Sequence, residues 1–222
     1  MQLSVIIPTL NAAKTLAGTL AALDGCGEVL VIDGGSTDAT LAIGEAHGAL
    51  VIRSARGRGV QLAAGAAIAR GDWLLFLHAD TVLAPGWREI VDNFARAHGA
   101  GERAAAFRFA LDDGAWQARA LEALVSVRAK LFALPYGDQG LLIHRSLYHA
   151  VGGYRSVPIM EDVDFVRRLG RKRIVMLNHD AITSADRWRR RGWFAQSLRN
   201  QYCLALYLAG ASPERIRKIY EG

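Results

Sequence analysis

Short apolar runs alternate with longer segments of helical periodicity through the first half of the chain. Leu3 to Pro8, Val29 to Asp33, Leu50 to Arg53 and Trp73 to Leu77 are nearly continuous hydrophobic runs of strand length. Such runs mark strands covered on both faces. Between them, Ala12 to Leu23, Thr37 to His47 and Val60 to Ala69 carry apolar residues at helical spacing, and Pro85 suits the first turn of a helix reaching about His98. Repeated strand–helix order predicts an α/β fold: a mainly parallel central sheet flanked by helices. After about residue 100 the rhythm changes. Ala104 to Leu111 reads as a strand with Phe107 and Phe109 on one face, and Ala115 to Leu134 as a long amphipathic helix. Leu141 to His144 and Ile174 to Leu177 are further strands, and Met160 to Leu169 and Gly192 to Leu208 are helices. Ser212-Pro213 opens a last short helix, Ser as cap and Pro in the first turn. No linker, repeat or low-complexity segment divides the chain. The expectation is one domain over residues 1–222, with a front half (1–100) and a back half (101–222).

The 222 residues, 51% hydrophobic, suffice for one full core. No apolar run approaches the roughly 20 residues of a membrane-spanning helix. Met1-Gln2-Leu3 lacks the positive start of a secretion signal, and Pro8 interrupts the apolar run that follows. Cys26 and Cys203 make neither a disulfide framework nor a zinc site, and are expected reduced and buried in a cytoplasmic protein. The net charge of +6 draws phosphates: nucleotides, nucleic acid or an anionic membrane surface. It is concentrated in two clusters, Arg167, Arg168, Arg171, Lys172, Arg173 and Arg187, Arg189, Arg190, Arg191, which by themselves read as solvated faces. No nucleic-acid-binding motif is present, so no nucleic-acid partner is expected.

Candidate chemistry gathers at strand ends. The strand Leu74-Leu75-Phe76-Leu77 runs into His78-Ala79-Asp80, and Val29 to Ile32 runs into Asp33-Gly34-Gly35-Ser36. Acids at the carboxyl edge of a parallel sheet suggest a nucleotide and a cation. Mg²⁺ or Mn²⁺ accepts one or two carboxylates beside phosphates and water, which fits Asp80. His78 reads either as a second ligand or as a hydrogen-bonded residue at a strand end. After the first strand, Thr9 and Asn11 either face a ligand or, in the case of Asn11, cap the next helix. Asp33 either approaches a ligand or shapes a turn. Arg56-Gly57-Arg58-Gly59 before a helix is a candidate anion site. Glu161-Asp162 at a helix start either complement the helix dipole or supply a general base. Gly137-Asp138-Gln139-Gly140 is a polar loop that either binds substrate or turns the chain.

Together, Ser4-Val5-Ile6-Ile7-Pro8-Thr9-Leu10-Asn11, Val31-Ile32-Asp33-Gly34-Gly35-Ser36-Thr37-Asp38, Phe76-Leu77-His78-Ala79-Asp80 and Met160-Glu161-Asp162-Val163-Asp164 resemble the motifs of the family 2 glycosyltransferases in order and over nearly the whole chain. More closely, the sequence is similar to a small subgroup associated with arsenosugar biosynthesis, which shares the His-Ala-Asp variant and the Gly-Asp-Gln loop. The resemblance implies the GT-A fold and an inverting transfer from a nucleotide-diphosphate sugar to an acceptor hydroxyl, assisted by Mn²⁺ or Mg²⁺. It makes residues 1–100 the nucleotide-binding half and 101–222 the acceptor side. By position, Pro8, Thr9, Asn11, Asp33 and Asp80 would serve the donor, with Asp80 on the metal, and Arg58 of the candidate anion site would join them. Asp162, beside Glu161, would be the catalytic base; Asp138, Gln139, Arg187 and Trp188 would lie toward the acceptor or diphosphate. Three departures stand out. His78 replaces the first acid of Asp-x-Asp, and Gly34 the second acid of Asp-Asp-Gly-Ser. No late histidine lies near Thr183 to Asp186, leaving Asp186 or water to complete a metal site.

Two other readings remain at this level. Nucleotidyl transfer would call for a glycine-rich loop after the first strand, where this chain has Thr9-Leu10-Asn11-Ala12-Ala13-Lys14. A non-catalytic binding subunit would suit the altered acids. The mixed basic and aromatic run Arg187 to Phe194 reads first as a helix packed on the domain with its arginines in solvent, and alternatively as peripheral contact with the inner membrane face, so the acceptor is a small molecule or lipid-linked. The two long helices of the back half suggest a homodimer.

Overall fold

The structure, a computed structural model, describes residues 1–132, 135 and 137–221. Eight strands form one continuous sheet: β1 (Leu3–Thr9), β2 (Glu28–Asp33), β3 (Leu50–Arg53), β4 (Trp73–Phe76), β5 (Thr81–Leu83), β6 (Ala104–Leu111), β7 (Leu141–His144) and β8 (Ile174–Thr183), in the order β3-β2-β1-β4-β7-β6-β8-β5. β3, β2, β1 and β4 are mutually parallel; β7 runs against β4 and β6, β8 lies parallel to β6, and β5 runs against β8. The helices are α1 (Leu16–Ala21), α2 (Thr40–Ala46), α3 (Arg58–Ile68), α4 (Trp87–Arg96), α5 (Trp116–Phe132), α6 (Arg145–Ala150), α7 (Glu161–Leu169), α8 (Asp186–Arg191), α9 (Trp193–Leu208) and α10 (Pro213–Glu221).

The strands are apolar throughout because both sheet faces are covered. Along β1, Val5 and Ile7 enter one core with Val31, Leu75 and Leu77, while Ile6 enters the opposite core with Leu30, Ile32, Leu74 and Phe76. A third cluster joins Phe109 and Leu111 of β6 to Ala118 and Val125 of α5 and Trp188 of α8. The expected helix over Ala115 to Leu134 is α5 as far as Phe132; Leu134 lies outside the described residues.

Sequence periodicity misses three elements. β5 has only three residues, too few for a pattern, and α6 has six with no apolar stripe. α8 is read in the sequence as a basic run, yet it forms a helical turn pinned by Trp188. The strand expected to stop at Leu177 continues as β8 to Thr183. Its polar stretch is held by pairing: Arg108 of β6 donates to both carboxylate oxygens of Asp180, at 2.5 and 3.0 Å, and to Asn178. Cys203 is buried as expected, whereas Cys26 is only half-buried because it sits in the turn between α1 and β2.

Two glycines in α3 set its approach to the rest of the fold. A Cβ on Gly65 would lie 2.4 Å from Ile6 Cγ2, so the helix rides directly on β1. A Cβ on Gly59 would lie 2.2 Å from the carbonyl oxygen of Arg155, so the start of α3 presses on the segment leading into α7. Backbone cannot yield as a flexible side chain does. Gly59→Ala is therefore expected to cost about 1–3 kcal/mol of stability, read as a lower urea midpoint at unchanged slope. An unchanged midpoint would mean the two helices separate without penalty.

Candidate active site

Four connections meet at the carboxyl edge of β1, β2 and β4. Thr9 and Asp33 are register partners at the ends of β1 and β2. The Asp33 carboxylate, buried, accepts hydrogen bonds from Thr9 Oγ1 (3.1 Å), Ser36 Oγ (2.5 Å) and the backbone N–H groups of Gly35 (2.9 Å) and Ser36 (2.8 Å). These donors outweigh the cost of burial and hold its carboxyl below the usual range. These bonds fold residues 33–36 and tie them to the end of β1. Asn11, at φ 51°, accepts from the Thr37 N–H at 2.9 Å and donates its own N–H to Ser36 Oγ at 2.8 Å. It staples the two loops together; the residue before α1 is Thr15, so Asn11 does not cap that helix. Pro8 is buried within β1.

Gln61 belongs to this edge without a sequence motif. It is buried, and its Nε2 donates to the carbonyls of Thr9 (2.8 Å) and Ile32 (2.7 Å), tying the ends of β1 and β2 to α3. A Cβ on Gly34 would meet the Gln61 amide at 3.0–3.2 Å. The missing acid at position 34 thus coincides with a glutamine amide filling that space. Its only sequence signal is that it is the single polar side chain from Val60 to Ala69.

On the other side of the cleft, α7 begins at Met160, which has φ 65°. Met160 and Asn11 are the only non-glycine residues with positive φ among those described, and both adjoin the site. Local strain of this kind persists where surrounding structure enforces it. Glu161, 2% exposed, lies 3.0 Å from Arg58 Nε. Burial raises its pKa, opposed by Arg58 and reinforced by Asp162. Asp162 accepts the Gly137 N–H at 2.9 Å. Asp164 is committed to Arg168 (2.7 Å) and Arg155 (3.4 Å) and serves the fold.

His78, Asp80 and Asp138 lie between these walls. His78 Nε2 is 3.4 Å from Arg58 Nη1, and its ring lies so close to Gly137 that a Cβ there would stand 2.4 Å from Nε2. Burial and the charges of Arg58 and Arg187 keep the imidazole neutral. The Asp80 carboxylate has no side-chain hydrogen-bond or ion-pair partner among the described residues; burial raises its pKa, against the pull of Arg187, Arg58 and its own backbone N–H. Asp138 has a buried Oδ1 without a hydrogen-bond partner, and burial raises its pKa to about 6, with Arg128 opposing and Asp162 and Asp80 reinforcing. Gln139 is buried and donates to the Phe107 carbonyl at 3.0 Å, anchoring the loop to β6. Leu62, Phe76, Leu77, Leu141 and Tyr154 line the cleft with His78, Gly137, Glu161 and Asp162. Tyr154, stacked on Phe165 at 4.6 Å, carries no sequence motif either.

Asp138 has a testable consequence for stability. Its folded pKa of about 6 exceeds the ordinary 3.8, so the folded state binds the proton more tightly. The stability it contributes is complete below pH 3.8 and is lost as pH rises to about 6. Asp138→Asn is expected to raise the melting temperature at pH 7.5 relative to wild type, with the difference shrinking toward pH 4. Parallel melting curves across pH would refute the burial reading.

Arg187 and Trp188 part company. Trp188 is buried against Phe109, 6.3 Å between ring centroids, and anchors α8. Arg187 is exposed on the site side, where its charge acts on His78, Asp80 and Asp138. Asp186 is occupied by Arg189 at 3.0 Å and Arg190 at 3.7 Å. Arg189 also binds Asp112 and Asp113, so part of the second basic cluster is structural. α9 packs through Gln196, Cys203 and Leu204 and leaves Phe194, Leu198 and Tyr202 exposed. Among the described residues no helix is long and apolar enough to cross a membrane.

The profile of glycosyl transferase family 2 matches residues 4–155, from the start of β1 to the turn before α7. The chain belongs to this family. The "PGL/p-HBAD biosynthesis glycosyltransferase" proteins of Mycobacterium tuberculosis and Mycobacterium bovis are 42% identical over 91 residues, which is 36% of this chain and 36% of theirs. The chain therefore spans about a third of those relatives' length in the match. Among solved structures, a mycobacterial protein shares 25% identity at TM-score 0.60, covering 82% of this chain and 66% of that one. Glucosyl-3-phosphoglycerate synthase from Mycobacterium tuberculosis, in complex with Mn²⁺ and uridine-diphosphate-glucose, superposes at TM-score 0.59 with 24% identity, covering 81% and 69%. S. aureus TarS 1–349 in complex with UDP superposes at 0.63 with 18% identity, covering 99% and 70%. These likenesses establish the GT-A fold of this family 2 member.

Proposed function

We propose that this family 2 chain is an inverting glycosyltransferase. It takes a sugar from a nucleoside-diphosphate donor, with Asp162 as general base. The observation that carries this reading is the position of Arg58: its charge interacts with Glu161, Asp162 and Asp80, so nucleotide edge and acid wall face one another across it. In the reaction, an acceptor oxygen attacks the anomeric carbon as the bond to the diphosphate breaks, and the proton passes to the Asp162 carboxylate. The Gly137 N–H holds that carboxylate in place. Arg58 and Arg187 offset charge on the leaving diphosphate. Asp80 suits a divalent cation because its half-buried carboxylate has no side-chain partner among the described residues. Among the described residues, no group of three or more acids, histidines or cysteines is arranged to hold a metal, so phosphate and water would supply the other ligands. When bound, the cation would supply charge neutralisation at the diphosphate.

Uridine donors are the first to test, since neighbouring structures hold UDP or its glucose derivative. The acceptor is a hydroxyl compound, small or lipid-linked; the exposed Phe194, Leu198 and Tyr202 beside Arg190 and Arg191 are the surface a bilayer would meet. The testing experiment is a thermal-shift screen of nucleoside diphosphates and their sugars, with and without Mn²⁺. A cation-dependent shift of several degrees for one base supports the reading. No shift for any of them would favour a binding subunit of the same fold.

A further inference from the structure

We propose that Tyr220 of α10 is a positioning residue of the donor site, holding the Arg187 guanidinium toward the diphosphate. Arg187 Nη1 donates to the Tyr220 hydroxyl at 2.6 Å, with the guanidinium carbon 6.0 Å from the ring centroid. Arg187 has no other hydrogen-bond or ion-pair partner among the described residues. Tyr220 is itself fixed at several points. Its carbonyl accepts from Arg199 Nη1 at 3.3 Å and from Arg191 Nη1 at 3.5 Å, and Ile216, one turn earlier, is fully buried. The phenol is close enough to the cleft to act electrostatically on Arg58. A helix that follows α8 only after the whole of α9 thus returns to the site and holds one arm of a guanidinium whose charge acts on His78, Asp80 and Asp138.

The arrangement favours positioning over obstruction. A guanidinium has five N–H donors in a planar fork, and the tyrosine uses one. The other donors stay free for phosphate oxygens. An exposed arginine otherwise loses rotamer freedom when it binds an anion, and a phenol that already holds one arm reduces that loss.

This inference rests on the donor site proposed above, and the test separates the two. UDP with MnCl₂ is titrated calorimetrically into wild type, Tyr220→Phe, Arg187→Ala and the double variant, with uridine as a probe lacking phosphate. Tyr220→Phe is expected to weaken UDP by about 3–10-fold while leaving uridine within twofold. In the Arg187→Ala background it should have no further effect. Melting temperatures of the variants report folding independently of binding. If wild type binds UDP but Tyr220→Phe binds it equally well, or weakens uridine as much as UDP, the positioning role is overturned and the donor site stands. The role is also overturned if the loss persists without Arg187. Absence of UDP and every other nucleotide from the wild-type protein would overturn the donor site and this role together.

Discussion

Asp162→Asn is expected to lower sugar transfer by about 10²–10⁴-fold, the usual range for removing a general base, while nucleotide affinity stays within about twofold. The substitution is nearly isosteric. An asparagine oxygen can still accept the Gly137 N–H that now reaches Asp162 Oδ2 at 2.9 Å, so the loop over residues 137–139 keeps its anchor. What disappears is the ability to take a proton from the acceptor. The discriminating measurement is a pair: single-turnover transfer for the chemistry, and calorimetric UDP binding for the donor site. A variant that retains turnover would remove Asp162 as the base. Asp138, whose carboxyl near pH 6 also lies in the cleft, would then become the candidate.

Asp80→Ala is expected to act on the other half of the reaction. Its half-buried carboxylate has no side-chain partner among the described residues and burial raises its pKa, a costly condition for an anion unless a cation meets it. Removing it should lower kcat/KM by about 10²-fold or more, since metal stabilisation of a phosphoryl oxygen is worth several kcal/mol. UDP affinity should also become insensitive to EDTA. The signature is the lost cation dependence rather than the weaker binding alone. If wild type binds UDP equally with and without EDTA, Asp80 has no metal to hold. Its unpaired carboxylate would then call for a direct contact with the donor.

The sequence by itself determined the α/β class, the four parallel strands of the front half and the acids at their ends. It could do so because strands buried on both faces must be apolar along their length, and chemistry-bearing residues stand out where such runs stop. Asp80 and Asp33 were visible for that reason, and Glu161-Asp162 because they open a helix whose apolar spacing the sequence shows. Only the tertiary structure decided how each was used. Asp33 and Asp80 look alike in sequence, yet four hydrogen bonds from neighbouring residues occupy the first, whereas among the described residues no other side chain bonds the second. Arg187 and Trp188 are adjacent in the chain and meet opposite fates, one exposed against Tyr220 and one in the core with α5 and β6. Gln61, Tyr154 and Tyr220 carry no motif because their roles depend on what lies across space: two carbonyls at strand ends, an aromatic stack and a guanidinium. β5, α6 and α8 were hidden for a related reason. They are too short to show a period, and their stability comes from pairing and packing with distant residues rather than from local pattern.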